Sequence, residues 1–124
     1  MQCDAYELET AIQQAADIIY ARYMLQHLDN PHKALQQMIA LLKENGRLII
    51  DEETFSTTKT IPDHWAINAA TAIARKASIA LNTNYDIGAC IQTMLIEQGL
   101  TITSCTLYKS TRRTIGHRAI YTNI

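Results

Sequence analysis

His27 is the side chain in this sequence best suited to moving a proton. An imidazole titrates near neutrality and can accept a proton from a hydroxyl or an amine. No neighbour in the sequence marks a partner that would orient the ring, so a structural hydrogen bond near a turn is the competing reading. Three consecutive acids, Asp51, Glu52 and Glu53, follow an apolar run. Glu52 is the candidate for a substrate contact there, with a solvated acidic strand end as the alternative. Ala21 and Arg22 close an earlier β-prone run, at the position where ligands sit in open α/β sheets. Arg112, Arg113, His117 and Arg118 read as a solvated basic turn. His27 and His32 straddle Pro31 and do not make a helical metal pair. Cys3, Cys90 and Cys105 lie far apart with no C-x-x-C, so neither a zinc site nor a disulfide framework is expected.

The elements that must position these residues follow from hydrophobic pattern. Residues 17–23 form a short run, D-I-I-Y-A-R-Y, whose centre lacks period-2 alternation. Such a run suits a strand inside a parallel sheet. Asp29 and Asn30 are N-cap candidates and Pro31 suits a first helical turn. Ala34, Leu35, Met38, Ile39, Leu41 and Leu42 then recur at helical spacing, and Asn45-Gly46 is expected to end that helix. Leu48-Ile49-Ile50 is a second strand core. Strand, helix and strand make a βαβ unit with parallel strands. Residues 53–64 read as a loop, 65–81 as an alanine-rich helix, and a further helix runs from Asp86 to its stop at Gly99. Segments 100–108 and 118–122 are strand-like, joined closely enough for an antiparallel hairpin. Residues 5–16 fit either a short helix or an irregular connection.

The chain has 124 residues, enough for one domain, and 48% of them are apolar. The formal net charge of −1 argues against a nucleic-acid surface or a membrane-surface protein held by charge. No apolar stretch approaches the roughly 20 residues of a membrane helix. The N-terminal residues lack the pattern of a signal peptide, and a reducing cytoplasm is the expected setting.

Residues 17–52 resemble a stretch of many class I S-adenosylmethionine-dependent methyltransferases. There a strand leads to a Leu-x-His-Leu segment, an Asp-x-Pro opens a helix, Leu-Lys-Pro-Gly-Gly closes it, and the next strand ends in an acid. Here Leu25-Gln26-His27-Leu28, Asp29-Asn30-Pro31 and Leu42-Lys43-Glu44-Asn45-Gly46 occupy those places. Tyr85-Asp86-Ile87-Gly88 and the turn before Leu100 resemble the helix that leads into the family's final hairpin. Cys3-Asp4-Ala5 resembles the Gly-Asp-Ala that follows its third strand.

The resemblance implies an α/β fold, half of a Rossmann-like sheet. It would be mostly parallel with an antiparallel C-terminal hairpin, flanked by helices, in the spatial order first, second, fourth, third. It implies S-adenosylmethionine as cofactor and methyl transfer to a small molecule. Asp4, Ala21 and Arg22 would face the cofactor, Asp4 at the adenine amino group and Arg22 at the methionine part. His27 would serve as general base, and Glu52, Trp65 and Asn68 would face the substrate, the latter two following a substrate-covering loop. Packing is the competing reading for Trp65.

The family's glycine-rich G-x-G-x-G loop and ribose-binding acid have no counterpart here, since Gly46, Gly88, Gly99 and Gly116 include no G-x-G. Weak or absent cofactor binding is therefore expected of the isolated chain. A homodimer, or a complementing N-terminal half, is expected to pair with the exposed edge of strand 17–23. The reading from a different class is a non-catalytic, self-associating or partner-binding remnant of the fold.

Overall fold

The computed structural model describes residues 2–57, 63–109 and 115–122, with backbone alone for 107–109 and 115–122. Four strands, β1 (Ala16–Arg22), β2 (Leu42–Glu53), β3 (Thr101–Lys109) and β4 (Ile115–Thr122), form one sheet in the order β1-β2-β4-β3. β1 and β2 are parallel, and β4 is antiparallel to both β2 and β3. This is the mostly parallel α/β sheet that the sequence pattern implies. β1 lies at one edge, and its register sets Ala21 beside Ile50 and Arg22 beside Asp51.

Among the described residues four α-helices accompany the sheet: α1 (Leu8–Ala11), α2 (Pro31–Ala40), α3 (Trp65–Ala80) and α4 (Ile87–Glu97). The ambiguous 5–16 segment thus contains a single helical turn. It is tied to α2 where Glu9 N donates to Gln37 Oε1 (3.2 Å) and Gln37 Nε2 donates to Glu9 Oε2 (2.9 Å). Asn30 caps α2, its Oδ1 accepting from Lys33 N at 3.1 Å.

The helix expected to run to Asn45-Gly46 ends four residues early, at Ala40. Leu41 and Leu42 satisfy helical spacing, but both are buried at the sheet, where Ala16 N donates to Leu41 O (2.7 Å) and Leu42 pairs with Ala16. The register then slips between Ala16 and Ile18, so residues 43–46 bulge out of the ladder. The left-handed residue there is Asn45 (φ 64°). Gly46 is required for space instead, because a Cβ on it would lie 2.8 Å from Lys43 O and 3.2 Å from Ala16 O. β4 also begins earlier than expected. His117 and Arg118 therefore belong to a strand, opposite Glu52 and Asp51, and not to a basic turn; Arg112 and Arg113 lie outside the described residues.

The core lies on one face of the sheet. Ala21, Leu48 and Ile50 meet Ala34, Leu35 and Met38 of α2 and Ile87, Ile91, Met94 and Leu95 of α4, with Leu25 and Leu100 completing the cluster. On the other face of β1, Ile18 and Tyr20 are 60% and 50% exposed. No helix of the described residues is long and apolar enough to cross a membrane.

Candidate functional site at the carboxyl ends of the strands

The parallel strands β1 and β2 end side by side, and the chain leaves β1 through a left-handed residue, Tyr23 (φ 47°). A non-glycine residue with that φ is uncommon and is retained where its surroundings over-determine it. Two contacts do so here. Tyr23 N donates to Asp51 O at 2.9 Å, and the Arg22 guanidinium lies 4.8 Å from the centre of the Tyr23 ring.

A 3₁₀ turn, Leu25–His27, follows. Glu52, 1% exposed, anchors it: its Oε1 accepts from Met24 N (2.9 Å) and Leu25 N (2.8 Å). The carboxylate thus takes the place of the backbone acceptors that the turn's first amides lack. Burial pushes the Glu52 carboxyl above the ordinary range, against the pull of those amides.

The turn presents His27. Its Nε2 lies 3.2 Å from Gln26 Nε2, and its ring meets Tyr85 edge-on at 5.5 Å. Those are the orienting partners the sequence did not reveal. With Nε2 accepting from the Gln26 amide, Nδ1 bears the ring hydrogen. For Nδ1 to act as a base, Nε2 must carry the hydrogen, and the Gln26 amide must turn its oxygen toward it.

Gln26 Oε1 is buried and has no donor among the described residues; the same holds for Asp51 Oδ1 and Glu52 Oε2. Asp51 is 3% exposed, its Oδ2 receiving the Tyr20 hydroxyl (3.2 Å) and facing Arg22 Nε at 3.6 Å. Asp51 and Glu52, adjacent on a strand, serve opposite faces of the sheet.

Asp4 stands on an exposed turn, its Oδ1 accepting from Tyr6 N at 2.9 Å. The Tyr6 hydroxyl donates to Asp29 and accepts from Asn30 N (3.1 Å). This ties the N-terminal segment to the residues just after the 3₁₀ turn. Tyr85 and Phe55 (5.5 Å between rings) line a cleft of about 210 Å³ with Arg75, Ile79 and Asp86.

Of the candidates read from sequence, Ala21, Arg22, His27 and Glu52 converge on the ends of β1 and β2. Asp4 joins that end indirectly through Tyr6. Trp65 and Asn68 sit apart on α3. Trp65 is 79% exposed with its ring stacked on His64, and Asn68 Nδ2 donates to Asp63 Oδ1 (2.7 Å). Asn68 does share a groove with Phe55 and Arg75. Gln26, Tyr6 and Tyr85 were not singled out as site residues. Tyr6 and Tyr85 act across 23 and 58 positions of chain, and only the fold brings such pairs together.

The carboxyl ends of β1 and β2 lie side by side, the position at which ligands sit in open α/β sheets. The chain belongs to the family described as methyltransferase domain, whose model matches residues 2–87. Among solved structures it is similar to magnesium protoporphyrin IX methyltransferase (ChlM) from Synechocystis PCC 6803 with bound SAH. That match has 15% identity and a TM-score of 0.65, and covers 100% of this chain and 50% of that one. It is also similar to N-methyltransferase NodS from Bradyrhizobium japonicum WM9, at 16% identity and TM-score 0.59, covering 94% of this chain and 55% of that one. A protein described as a pericyclic reaction enzyme matches at 17% identity and TM-score 0.62, covering 90% of this chain and 27% of that one. The chain therefore spans about a quarter to about half of these structures. No curated protein matches it.

Proposed function

We propose that this chain provides the acceptor side, and part of the cofactor side, of an S-adenosylmethionine-dependent methyltransferase acting on a small molecule. The reading rests on the family to which the chain belongs and on the convergence of Ala21, Arg22, His27 and Glu52 at the carboxyl ends of β1 and β2. S-adenosylmethionine is rich in donors (an ammonium, an adenine amino group and two ribose hydroxyls) and carries a sulfonium charge that suits an acidic site. Asp4, Ala21 and Arg22 are the residues that would hold it. When bound, it supplies an electrophilic methyl group.

The chain's own contribution is positional. Glu52 holds the turn that carries His27, and Gln26 and Tyr85 set the ring. In this reading His27, whose ring meets Tyr85 at 5.5 Å, takes a proton from an acceptor bound beside Tyr85. The cleft that Tyr85 lines, at about 210 Å³, is below the ~300–1,000 Å³ of typical ligand pockets, which favours a small acceptor. Methyl transfer also proceeds by positioning alone when the acceptor needs no deprotonation.

The second reading is a non-catalytic interaction module. β1 is an edge strand with exposed Ile18 and Tyr20, so further strands, of whatever chain, have a place to pair. Calorimetric titration of the 124-residue chain with S-adenosylhomocysteine separates the two readings. Cofactor-site residues are expected to give affinity weaker than micromolar that falls further in Asp4→Ala or Arg22→Ala. Affinity unchanged in both variants would overturn the assignment of those residues. Turnover unchanged in His27→Ala would leave positioning without a base.

A further inference from the structure

The cleft beside Tyr85 adjoins a second hollow, and Phe55, Arg75 and Ile79 line both. This hollow, of about 400 Å³, follows the face of α3 that carries Asn68, Thr71, Ala72, Arg75 and Ile79, with Lys76 at its side. Residues so spaced stack on one side of a helix. Among the described residues its lining contains two cations, Arg75 and Lys76, and no carboxylate. The cations are held differently. Arg75 Nη2 donates to Asp86 Oδ2 at 2.7 Å, and Asp86 Oδ1 accepts from Ser56 N at 2.6 Å. The guanidinium is thereby tied to the turn that follows β2, yet this bond uses one nitrogen of a group with five N–H donors. Lys76 is exposed and has no ion pair among the described residues.

We propose that Arg75 and Lys76 hold an anionic group, a carboxylate or a phosphate, of the methyl acceptor, so that the substrate is a small planar acid. The inference rests on the methyltransferase reading and deepens it by naming the class of acceptor. A line of rings gives the planar body its place. The Phe55 ring lies 5.5 Å from that of Tyr85, and the Tyr85 ring lies 5.5 Å from that of His27. An acceptor lying along Phe55 with its acidic end at Arg75 directs its other end toward Tyr85 and His27. Arg75 supplies shape as well as charge, because its planar fork matches a carboxylate or phosphate.

The nearby acids agree with this placement. Arg75 and Lys76 together carry two positive charges and Asp86 one negative, which leaves a single positive charge for a singly charged group. Asp63 accepts from Asn68 Nδ2 at 2.7 Å, but Asn68 stands about 10 Å along the helix from Arg75. Between solvent-exposed charges that distance is about one screening length in physiological salt, so Asp63 offsets the cations little. A cationic acceptor would meet two like charges in the hollow. The hollow is open and the Arg75 side chain is 52% exposed, so an isolated anion should bind only in about the millimolar range.

Amide NMR titration of the 124-residue chain with benzoate, phenyl phosphate and the neutral benzamide tests the proposal. Benzoate or phenyl phosphate should give saturable shifts at Phe55–Ser56, Thr71–Lys76 and Tyr85–Asp86, and the tighter of the two names the anionic group. Benzamide should bind at least about 5-fold more weakly, since it keeps the ring and lacks the charge. Lys76→Glu should weaken the better anion by about 5-fold or more. Lys76 is exposed, so the fold should survive this change, and a circular dichroism spectrum like that of the native chain checks it. Equal affinity for the anions and benzamide would overturn the proposal. So would anion affinity unchanged in Lys76→Glu, or anion shifts confined to residues outside the hollow. These titrations contain no cofactor, so their failure is distinct from a failure of the S-adenosylhomocysteine titration, which judges the methyltransferase reading by itself.

Discussion

The Glu52 carboxylate accepts the Leu25 amide hydrogen at 2.8 Å, across 27 positions of chain, and the same oxygen accepts from Met24 at 2.9 Å. One buried acid thereby fixes the turn that presents His27 at the ends of both parallel strands.

Removing that acid should release the turn. Glu52→Ala leaves the buried Leu25 amide and the half-buried Met24 amide without an acceptor and should cost about 1–3 kcal/mol in urea unfolding. The pH dependence has a defined sign. Burial raises the carboxyl pKa in the folded state above its ordinary 4.5, so the fold holds this proton more tightly than the unfolded chain does. Its contribution to stability is full below that ordinary value and is lost as pH rises through the raised one. Glu52→Gln keeps an oxygen acceptor and cannot ionise, so this part of the pH slope should vanish. Equal slopes for the native chain and Glu52→Gln would show that the acid does not titrate differently in the fold.

Gly88 sits where α4 meets the end of β2. A Cβ there would lie 2.6 Å from Glu53 O and 2.6 Å from Thr54 Oγ1, and the first of these is backbone that cannot swing aside. Gly88→Ala should therefore destabilise by about 1–3 kcal/mol despite alanine's better helix propensity. A neutral or stabilising result in thermal unfolding would mean that α4 can move off the strand.

Asp86 joins the N-terminus of α4 to two other elements, accepting from Ser56 N at 2.6 Å and pairing with Arg75 at 2.7 Å. Burial works against its ionisation, but Ser56 and Arg75 outweigh it and hold the pKa below the ordinary value. The resulting stability is present above the ordinary aspartate range and is lost as pH falls through the lowered value. Asp86→Asn should cost about 1 kcal/mol at neutral pH, most of it through Ser56, since the Arg75 pair is half in solvent. No loss at neutral pH in chemical unfolding would remove the carboxylate from the list of stabilising groups.

The sheet was largely legible because its signals are local. Ile18-Ile19 and Leu48-Ile49-Ile50 read as strand cores, Asn30-Pro31 opens α2, and Gly99 closes α4 with φ 83°. The end of α2 was misread because Leu41 and Leu42 fit both the helical stripe and a buried strand start, and the pairing of Leu42 with Ala16 decided between them. Site positions on β1 and β2 were legible as strand ends. What those residues touch was not, because Glu52 finds Met24 and Leu25, and His27 finds Tyr85, only through the fold. Trp65 looked like a buried or substrate-facing aromatic, yet it stands 79% exposed at the start of α3. It stands in the first turn, after the polar pair Asp63-His64, where little of the helix precedes it to be packed against.

The central claim is that the ends of β1 and β2, with the Asp4 turn, hold S-adenosylmethionine. The most direct measurement follows the amide NMR spectrum of the 124-residue chain while S-adenosylhomocysteine is added up to millimolar concentration. The account predicts weak, saturable shifts concentrated at Asp4–Tyr6, Ala21–His27 and Asp51–Glu53, diminished in Asp4→Ala. An unchanged spectrum at millimolar ligand, or shifts confined to α3 and β3, would contradict it.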